Sequence, residues 1–288
     1  MFSRELKQKI GKAILVLCVV IVGFFLFSII FFILERGLKV ISWEFLTAKP
    51  KSAMTAGGIM PAIVGTFYLI IGSIIICLPL GVMAAIYISE YARKGKMLVI
   101  VRMGINNLAG VPSVVFGLFG MAIFVKYFGF GISILSGSLT LGILALPLII
   151  STSEEALRNV PISYREASLA LGATQWQTIS QIVLPHALPG IFTGLILAVG
   201  RVAGETAPIL FTAAAFYVSR MPASIRDEVQ ALPFLIYALM SEGTHSEKQV
   251  PIAYGAALVL LVLVLGISLI AIILRLYLRK RRQQWTMK

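Results

Sequence analysis

The chain has 288 residues, of which 59% are hydrophobic and 13% are charged, and its mean hydropathy is +0.95. A water-soluble domain of this length cannot bury such an apolar share, so the composition excludes that class and predicts lipid as the solvent. The net charge is +13. Basic residues of membrane chains gather where loops meet anionic lipid, so this charge favours a lipid surface and predicts no nucleic-acid partner.

Long apolar runs recur along the chain, and about 20 such residues cross a bilayer. We predict an all-α polytopic membrane protein with about six transmembrane helices, near residues 13–34, 59–89, 98–125, 132–150, 188–216 and 252–276. The first run follows a basic segment as a secretory signal would. It is longer than a signal core of about 7–15 residues and lacks a small-residue cleavage site, so we expect it to be retained.

Lys and Arg are unevenly distributed over the loops between these runs. With the N-terminus inside, the inside segments carry twice as many basic residues as the outside segments, and the positive-inside rule predicts two cytoplasmic termini. The inside set is Arg4, Lys7, Lys9, Lys12, Arg93, Lys94, Lys96, Arg102, Arg158, Arg165, Arg275, Arg279, Lys280, Arg281, Arg282 and Lys288.

These predictions divide the chain into three parts. Residues 1–58 form a cytoplasmic tail, the first transmembrane helix and an external loop, and residues 59–276 form a transmembrane domain with a cytoplasmic loop at 151–189. Residues 277–288 form a basic cytoplasmic tail, which we expect to lie on anionic lipid.

The residue types that usually bind metals or nucleotides are sparse. Cys18 and Cys77 lie inside apolar runs, and His186 and His245 have no partners at ligand spacing, so we predict neither a disulfide nor a metal site. No segment has the phosphate-loop form GxxxxGK[ST]. We therefore expect this chain to bind no cofactor and to have no catalytic site.

The loop at 151–189 contains the segment EASLALGATQWQTISQIVLP, from Glu166 to Pro185. Residues 166–171 favour a helix, Gly172 can adopt the left-handed conformation that ends one, and a second helix is expected from Thr174 to just before Pro185. The pattern predicts a helix-turn-helix on the membrane surface that can dock on a partner and move as a rigid lever.

This segment resembles the EAA loop of ABC importer permeases, whose pattern is E-A-A-x3-G-x9-I-x-L-P. Ser168 replaces the second Ala, and the matching positions are Glu166, Ala167, Gly172, Ile182, Leu184 and Pro185. The resemblance implies a type I ABC importer permease (MetI-like) fold, in which these residues couple the permease to an ATP-hydrolysing subunit. An ordinary pair of interfacial helices is the structural alternative.

A second segment, GRVAGETAP, places Arg201 and Glu205 deep within an apolar run. Their i, i+4 spacing predicts that both lie on one helical face, and ionisable residues at membrane depth usually line a pathway. The functional hypothesis assigns Arg201 to an anion path, with Glu205 and Thr206 tuning the site or closing a gate. The structural alternative is a buried ion pair, with Gly200 and Gly204 allowing close helix approach.

Several further segments resemble PstA-type permeases of bacterial phosphate importers: GGIMPAIVGTFYLI, AIYISEYA, AGVPSVVFGLFG, GRVAGETAPILFTA and ALPFLIYAL. The resemblance implies phosphate import across the bacterial plasma membrane, and it implicates the Arg and Glu of GRVAGETAP in transport. It also implies a heterodimer with a PstC-type permease, an ABC ATPase dimer that uses ATP and Mg, and an external phosphate-binding protein.

Three alternatives remain open at this point. The cargo could be another oxyanion, either molybdate or sulfate, because permeases for those anions share the EAA loop. An ion-coupled secondary transporter would instead need several intramembrane carboxylates or an inverted repeat, and the predicted spans contain only Glu205 and no visible repeat. A membrane-bound enzyme would need a nucleophile and base or a metal-ligand cluster.

Overall fold

The computed structural model describes residues 4–93, 95–215, 220–243 and 245–286. Lys94 and Lys288 of the predicted inside set lie outside the described residues. The helices are α1 (Arg4–Leu38), α2 (Trp43–Thr47), α3 (Met60–Ile86), α4 (Lys96–Ala109), α5 (Ser113–Gly120), α6 (Ile134–Arg158), α7 (Ile162–Ala170), α8 (Gln175–Thr178), α9 (Leu184–Gly204), α10 (Ala207–Thr212), α11 (Leu232–Ser241) and α12 (Ser246–Thr286). A short antiparallel hairpin pairs β1 (Pro50–Lys51) with β2 (Ala56–Gly57).

Five helical segments in the described ranges are long and apolar enough to cross a membrane: Gln8–Leu38, Met60–Tyr91, Ile134–Arg158, Gln175–Gly204 and Glu247–Tyr277. A bent pair, Lys96–Ala109 with Ser113–Tyr127, supplies a sixth candidate span. This architecture confirms the predicted all-α membrane fold with about six spans. The side on which the termini lie stays a prediction.

The third predicted span, 98–125, is wrong as a single helix. α4 ends at Ala109, α5 begins at Ser113, and the two segments meet at an angle of 99°. Pro112 separates them, and a proline lacks a backbone N–H and pushes the residue before it away from helical geometry. A wide turn with i→i+5 bonds, Met121–Tyr127, then extends α5.

The fifth predicted span, 188–216, is also displaced. α8 runs into α9 through a wide turn at Ile179–Val183, so the continuous helix covers Gln175–Gly204 and breaks before α10. The prediction that the second loop helix ends before Pro185 is therefore wrong. Pro185 lies within this continuous helix, directly after the wide turn, where i→i+5 bonds already replace the regular i→i+4 pattern.

The core of the bundle lies where α3, α6 and α9 pack together. In the most apolar stretch of α6, 67% of the residues are buried, against 0% for α1, so α6 is central and α1 peripheral. Gly190 and Gly194 of α9 face α6: a Cβ at Gly190 would lie 2.5 Å from that of Ala156, and one at Gly194 would meet Thr152. These two glycines allow the close approach of α6 and α9.

The end of α6 opposite the α7–α8 loop is held by the segment before α11. The N–H groups of Ile134 and Leu135 donate to the carbonyls of Asp227 and Ile225. The backbone N–H groups of Ala223 and Ser224 donate to the Asp227 carboxylate and lower the pKa of Asp227. This segment thus satisfies backbone donors at the start of α6, which are otherwise without partners in a helix.

Candidate functional site

Arg201 and Glu205 lie next to each other at the end of α9. Arg201 is in the last turn, and its Nε lies 3.6 Å from Oε1 of Glu205. The side chains are 35% and 16% exposed. This distance exceeds that of a good N–H···O bond, so the pair is electrostatic and loosely joined.

The expectation that both residues share one helical face is wrong in its backbone geometry. α9 ends at Gly204, and Glu205 is extended, with φ −75° and ψ 128°. Thr206 precedes α10, and its side chain makes no capping hydrogen bond. The ion pair therefore spans the break between two helices, and interrupted backbone at membrane depth is typical of transporter binding sites.

The surroundings of Gly200 and Gly204 bear on the packing hypothesis. A Cβ built at either glycine would meet no described atom within 4 Å. Neither glycine therefore brings another helix of this chain close within the described ranges. The face of α9 beside Arg201 is open, which leaves room for a partner or an anion path.

Arg201 lies far from the cytoplasmic loop along its span. It is 17 residues beyond Leu184, which corresponds to about 26 Å at roughly 1.5 Å per helical residue. The ion pair therefore lies at the end of the span Gln175–Gly204 that is farther from the α7–α8 loop.

The predicted coupling residues divide into two groups in the structure. Glu166, Ala167 and Gly172 are exposed on α7 and on the turn that follows it. Ile182, Leu184 and Pro185 are half-buried in the helix that joins this turn to the core of the bundle. The motif therefore combines an exposed tip with the base that supports it.

Local chemistry explains the shape of this tip. Gly172 has φ +83°, a left-handed conformation that glycine adopts without steric cost. Thr174 and Gln177 form a capping box: the Gln177 N–H donates to Thr174 Oγ1, and the Thr174 N–H donates to Gln177 Oε1. Leu171 and Trp176 are 89% and 58% exposed beside this turn, so the tip presents apolar surface suited to a docked partner.

Sequence reasoning missed an ion pair at the base of the loop. Arg165 Nε and one of its terminal nitrogens donate to the two carboxylate oxygens of Glu90, at 3.1 and 2.8 Å. Glu90 lies in the wide turn Tyr87–Tyr91 that ends α3. Glu90 was overlooked because only the basic residues of the loops were considered. An acidic residue at the end of a long apolar run was the sequence signal for this pair.

A second missed cluster joins α4 to α6. Glu154 forms two ion pairs: its Oε1 lies 2.7 Å from a terminal nitrogen of Arg102 and 3.0 Å from one of Arg158. These residues line an open cavity of about 340 Å³ together with Asn106 and Ser151. Across the described residues, no group of three or more His, Cys, Asp or Glu side chains could hold a metal ion.

Several apolar spans, a broken helix with an ion pair and an exposed helix-turn-helix together define a polytopic transport subunit of the membrane. The chain belongs to the family of binding-protein-dependent transport system inner membrane components, whose model matches residues 77–284. It is therefore a multi-pass inner-membrane protein.

Related sequences match most of the chain. It is 33% identical over 280 residues to the probable ABC transporter permease protein YqgI of Bacillus subtilis, covering 93% of this chain and 95% of the relative. It is 37% identical to the phosphate transport system permease protein PstA 1 of Mycobacterium tuberculosis, covering 79% and 73%. It is 36% identical to the PstA permease of Xylella fastidiosa, covering 82% and 81%.

Solved structures share the fold. A bacterial alginate ABC transporter in complex with its periplasmic protein superposes with a TM-score of 0.66 at 16% identity, covering 92% of this chain and 93% of that chain. The inward-facing MetNI methionine ABC transporter gives a TM-score of 0.57 at 20% identity, covering 77% and 94%. These similarities confirm the predicted type I ABC importer permease (MetI-like) fold.

Proposed function

We propose that this chain is the permease subunit of an ATP-driven importer that moves inorganic phosphate across the bacterial plasma membrane. The observation that carries the proposal is the similarity to phosphate permeases of several bacteria over most of the chain. The pair of Arg201 and Glu205 on an open helix face supplies the chemistry, because a guanidinium offers forked donors that match a tetrahedral oxyanion.

The proposed complex places one partner at each exposed feature of the chain. A PstC-type permease lies against the open face of α9 and completes the path. An ABC ATPase dimer binds the apolar tip at Leu171 and Trp176 from the cytoplasm, and it alone binds ATP and Mg²⁺. A phosphate-binding protein docks on the opposite side, and membrane lipid surrounds α1.

In this proposal the loose ion pair acts as an exchangeable site. Glu205 keeps Arg201 oriented when the path is empty, and the distance of 3.6 Å implies a small cost for releasing the guanidinium to an anion. Thr206 adds a hydroxyl beside the helix break. Because the helix is continuous from Gln175 to Gly204, movement of the tip on ATP binding is carried to Arg201 and changes the side from which the site is open.

A complementation experiment tests this function. The chain is expressed with its own partner permease, ATPase and binding protein in a bacterium that lacks a phosphate importer, and uptake of radiolabelled phosphate is measured at limiting concentration. We expect uptake to be restored by the wild-type chain and not by Arg201→Gln. Restored uptake of molybdate or sulfate without phosphate would assign the importer to another oxyanion and reject phosphate as its cargo.

A further inference from the structure

Arg165 binds the ends of two spans at once. Besides Glu90, in the wide turn that follows α3, its guanidinium donates to the carbonyl of Leu157 in the last turn of α6, at 2.9 Å, and to that of Val160 just beyond α6, at 2.6 Å. The side chains of Arg165 and Glu90 are 19% and 9% exposed, so the pair is shielded from water. Gln175 of α8 adds a bond from its amide nitrogen to the Glu90 backbone carbonyl at 2.8 Å.

α7 is also held by a ring contact and by a hydrogen bond between hydroxyl groups. All nine residues of α7 are described and none is buried, so little apolar packing holds this helix. Tyr164 contacts His186 edge to face at 5.1 Å, and Ser168 is bonded to Thr178, which joins α7 to α8 and α9. Among the hydrogen bonds and ion pairs of the described residues, those of Arg165 join α7 to α3.

We infer that the Glu90–Arg165 pair is a positioning element of coupling, which makes α3 and α6 move with the loop when the ATPase pulls on it. The inference rests on the proposed function, in which α7 and its turn are the docking tip. α9 follows the tip through its own continuous backbone. α3 packs against α6 and α9 in the core, and the forked, shielded ion pair adds a direct and geometrically specific link from the end of α3 to α7.

One wide helical turn carries Glu90 of this link, and a second follows α8, the helix after α7. Tyr87–Tyr91, which carries Glu90, and Ile179–Val183, which follows α8, both have i→i+5 bonds. Turns of this type are uncommon within α-helices and frequently occur at functional sites. Such a turn lets the end of its helix shift while the Glu90–Arg165 ion pair stays intact.

The deciding measurement is the number of ATP molecules hydrolysed per anion imported by the complete importer in proteoliposomes. Glu90→Gln removes the charge of the pair with little change in shape. We expect uptake to fall at least tenfold while hydrolysis persists, so that this ratio rises at least tenfold. If the pair serves only to stabilise the fold, the substitution reduces the number of working complexes, and ATP hydrolysis and anion uptake fall together. The ratio of ATP hydrolysed to anion imported would then stay unchanged, and this result would overturn the inference.

Controls separate the outcomes. Glu35→Gln makes the same substitution in an exposed pair with Lys39 and should keep the wild-type ratio. If Glu90→Gln does not assemble, Arg165→Lys decides by the same ratio, because lysine keeps the charge but cannot bridge Glu90 and two carbonyls. Failure of both variants to assemble would show that the pair serves folding and would reject the inference.

The cargo is tested separately in the same vesicles. Phosphate, sulfate and molybdate are each offered to the wild-type complex, and the ratio is taken with the anion that is imported. Import of sulfate or molybdate in place of phosphate would reject the proposed cargo, and the ratios of the variants would still test the ion pair.

Discussion

Replacing Arg201 by Gln removes a charge from a pair that is only loosely joined. The two side chains are 35% and 16% exposed and their closest charged atoms are 3.6 Å apart. A partly exposed pair contributes about 0–1 kcal/mol to stability. Removing one partner of a fully buried pair would cost about 3–5 kcal/mol. We therefore expect Arg201→Gln to reach the membrane and assemble at near wild-type levels.

The effect on transport should be much larger than the effect on assembly. A hydrogen bond to a charged group contributes about 1.5–3 kcal/mol, so two forked bonds to an anion contribute about 3–6 kcal/mol. Each 1.4 kcal/mol corresponds to a factor of about ten in affinity. Glutamine offers one amide and no charge, so we expect phosphate uptake to fall by about 100-fold or more.

The assay is the initial rate of radiolabelled phosphate uptake at subsaturating concentration, divided by the amount of assembled complex. Lys39→Gln removes one exposed positive charge and serves as the matched control. The double variant Arg201→Gln with Glu205→Gln leaves no stranded charge, so it should assemble well and still fail to transport. Near wild-type uptake by this double variant would refute the reasoning and assign the two charges to helix packing.

Three other predictions concern the loop, the orientation and the core. Gly172→Val places a β-branched residue in a left-handed backbone conformation at a cost of about 1–2 kcal/mol, and it should lower the uptake per ATP hydrolysed. Gly129 is also left-handed, and Gly129→Val should leave the uptake per ATP unchanged. Equal effects of these two substitutions on uptake per ATP would reject the assignment of the α7–α8 loop to coupling. Reporter fusions after residue 170 should be active in the cytoplasm and fusions near residue 240 outside; the reverse would overturn the topology. Gly194→Val should collide with α6, cost about 1–3 kcal/mol and lower the melting temperature of the purified chain; unchanged melting would contradict the packing.

The number of spans and the shape of the loop tip could be predicted from the sequence. Apolar runs long enough to cross a bilayer leave a strong local signal in hydropathy. The turn at Gly172 was predictable because glycine is the residue that adopts positive φ without strain. Both signals are local, so neither requires knowledge of how the helices pack.

The helix breaks and the ion pairs between helices could not be predicted in the same way. Hydropathy averaged over a span does not register a break of two or three residues, so the bend before Ser113 and the interruption at Glu205 were missed. Glu90 and Arg165 are 75 residues apart, and a pair so distant leaves no periodic trace in the sequence. Packing of α3 against α6 brings them together.

Uptake by the purified importer tests the central claim most directly. The chain, its partner permease, the ATPase dimer and the binding protein are reconstituted in vesicles, and radiolabelled phosphate is followed with ATP and an excess of unlabelled sulfate or molybdate. We predict ATP-dependent accumulation of phosphate that neither competitor reduces. Absence of ATP-dependent phosphate accumulation, or its loss when sulfate or molybdate is added, would contradict the assignment of this chain to phosphate import.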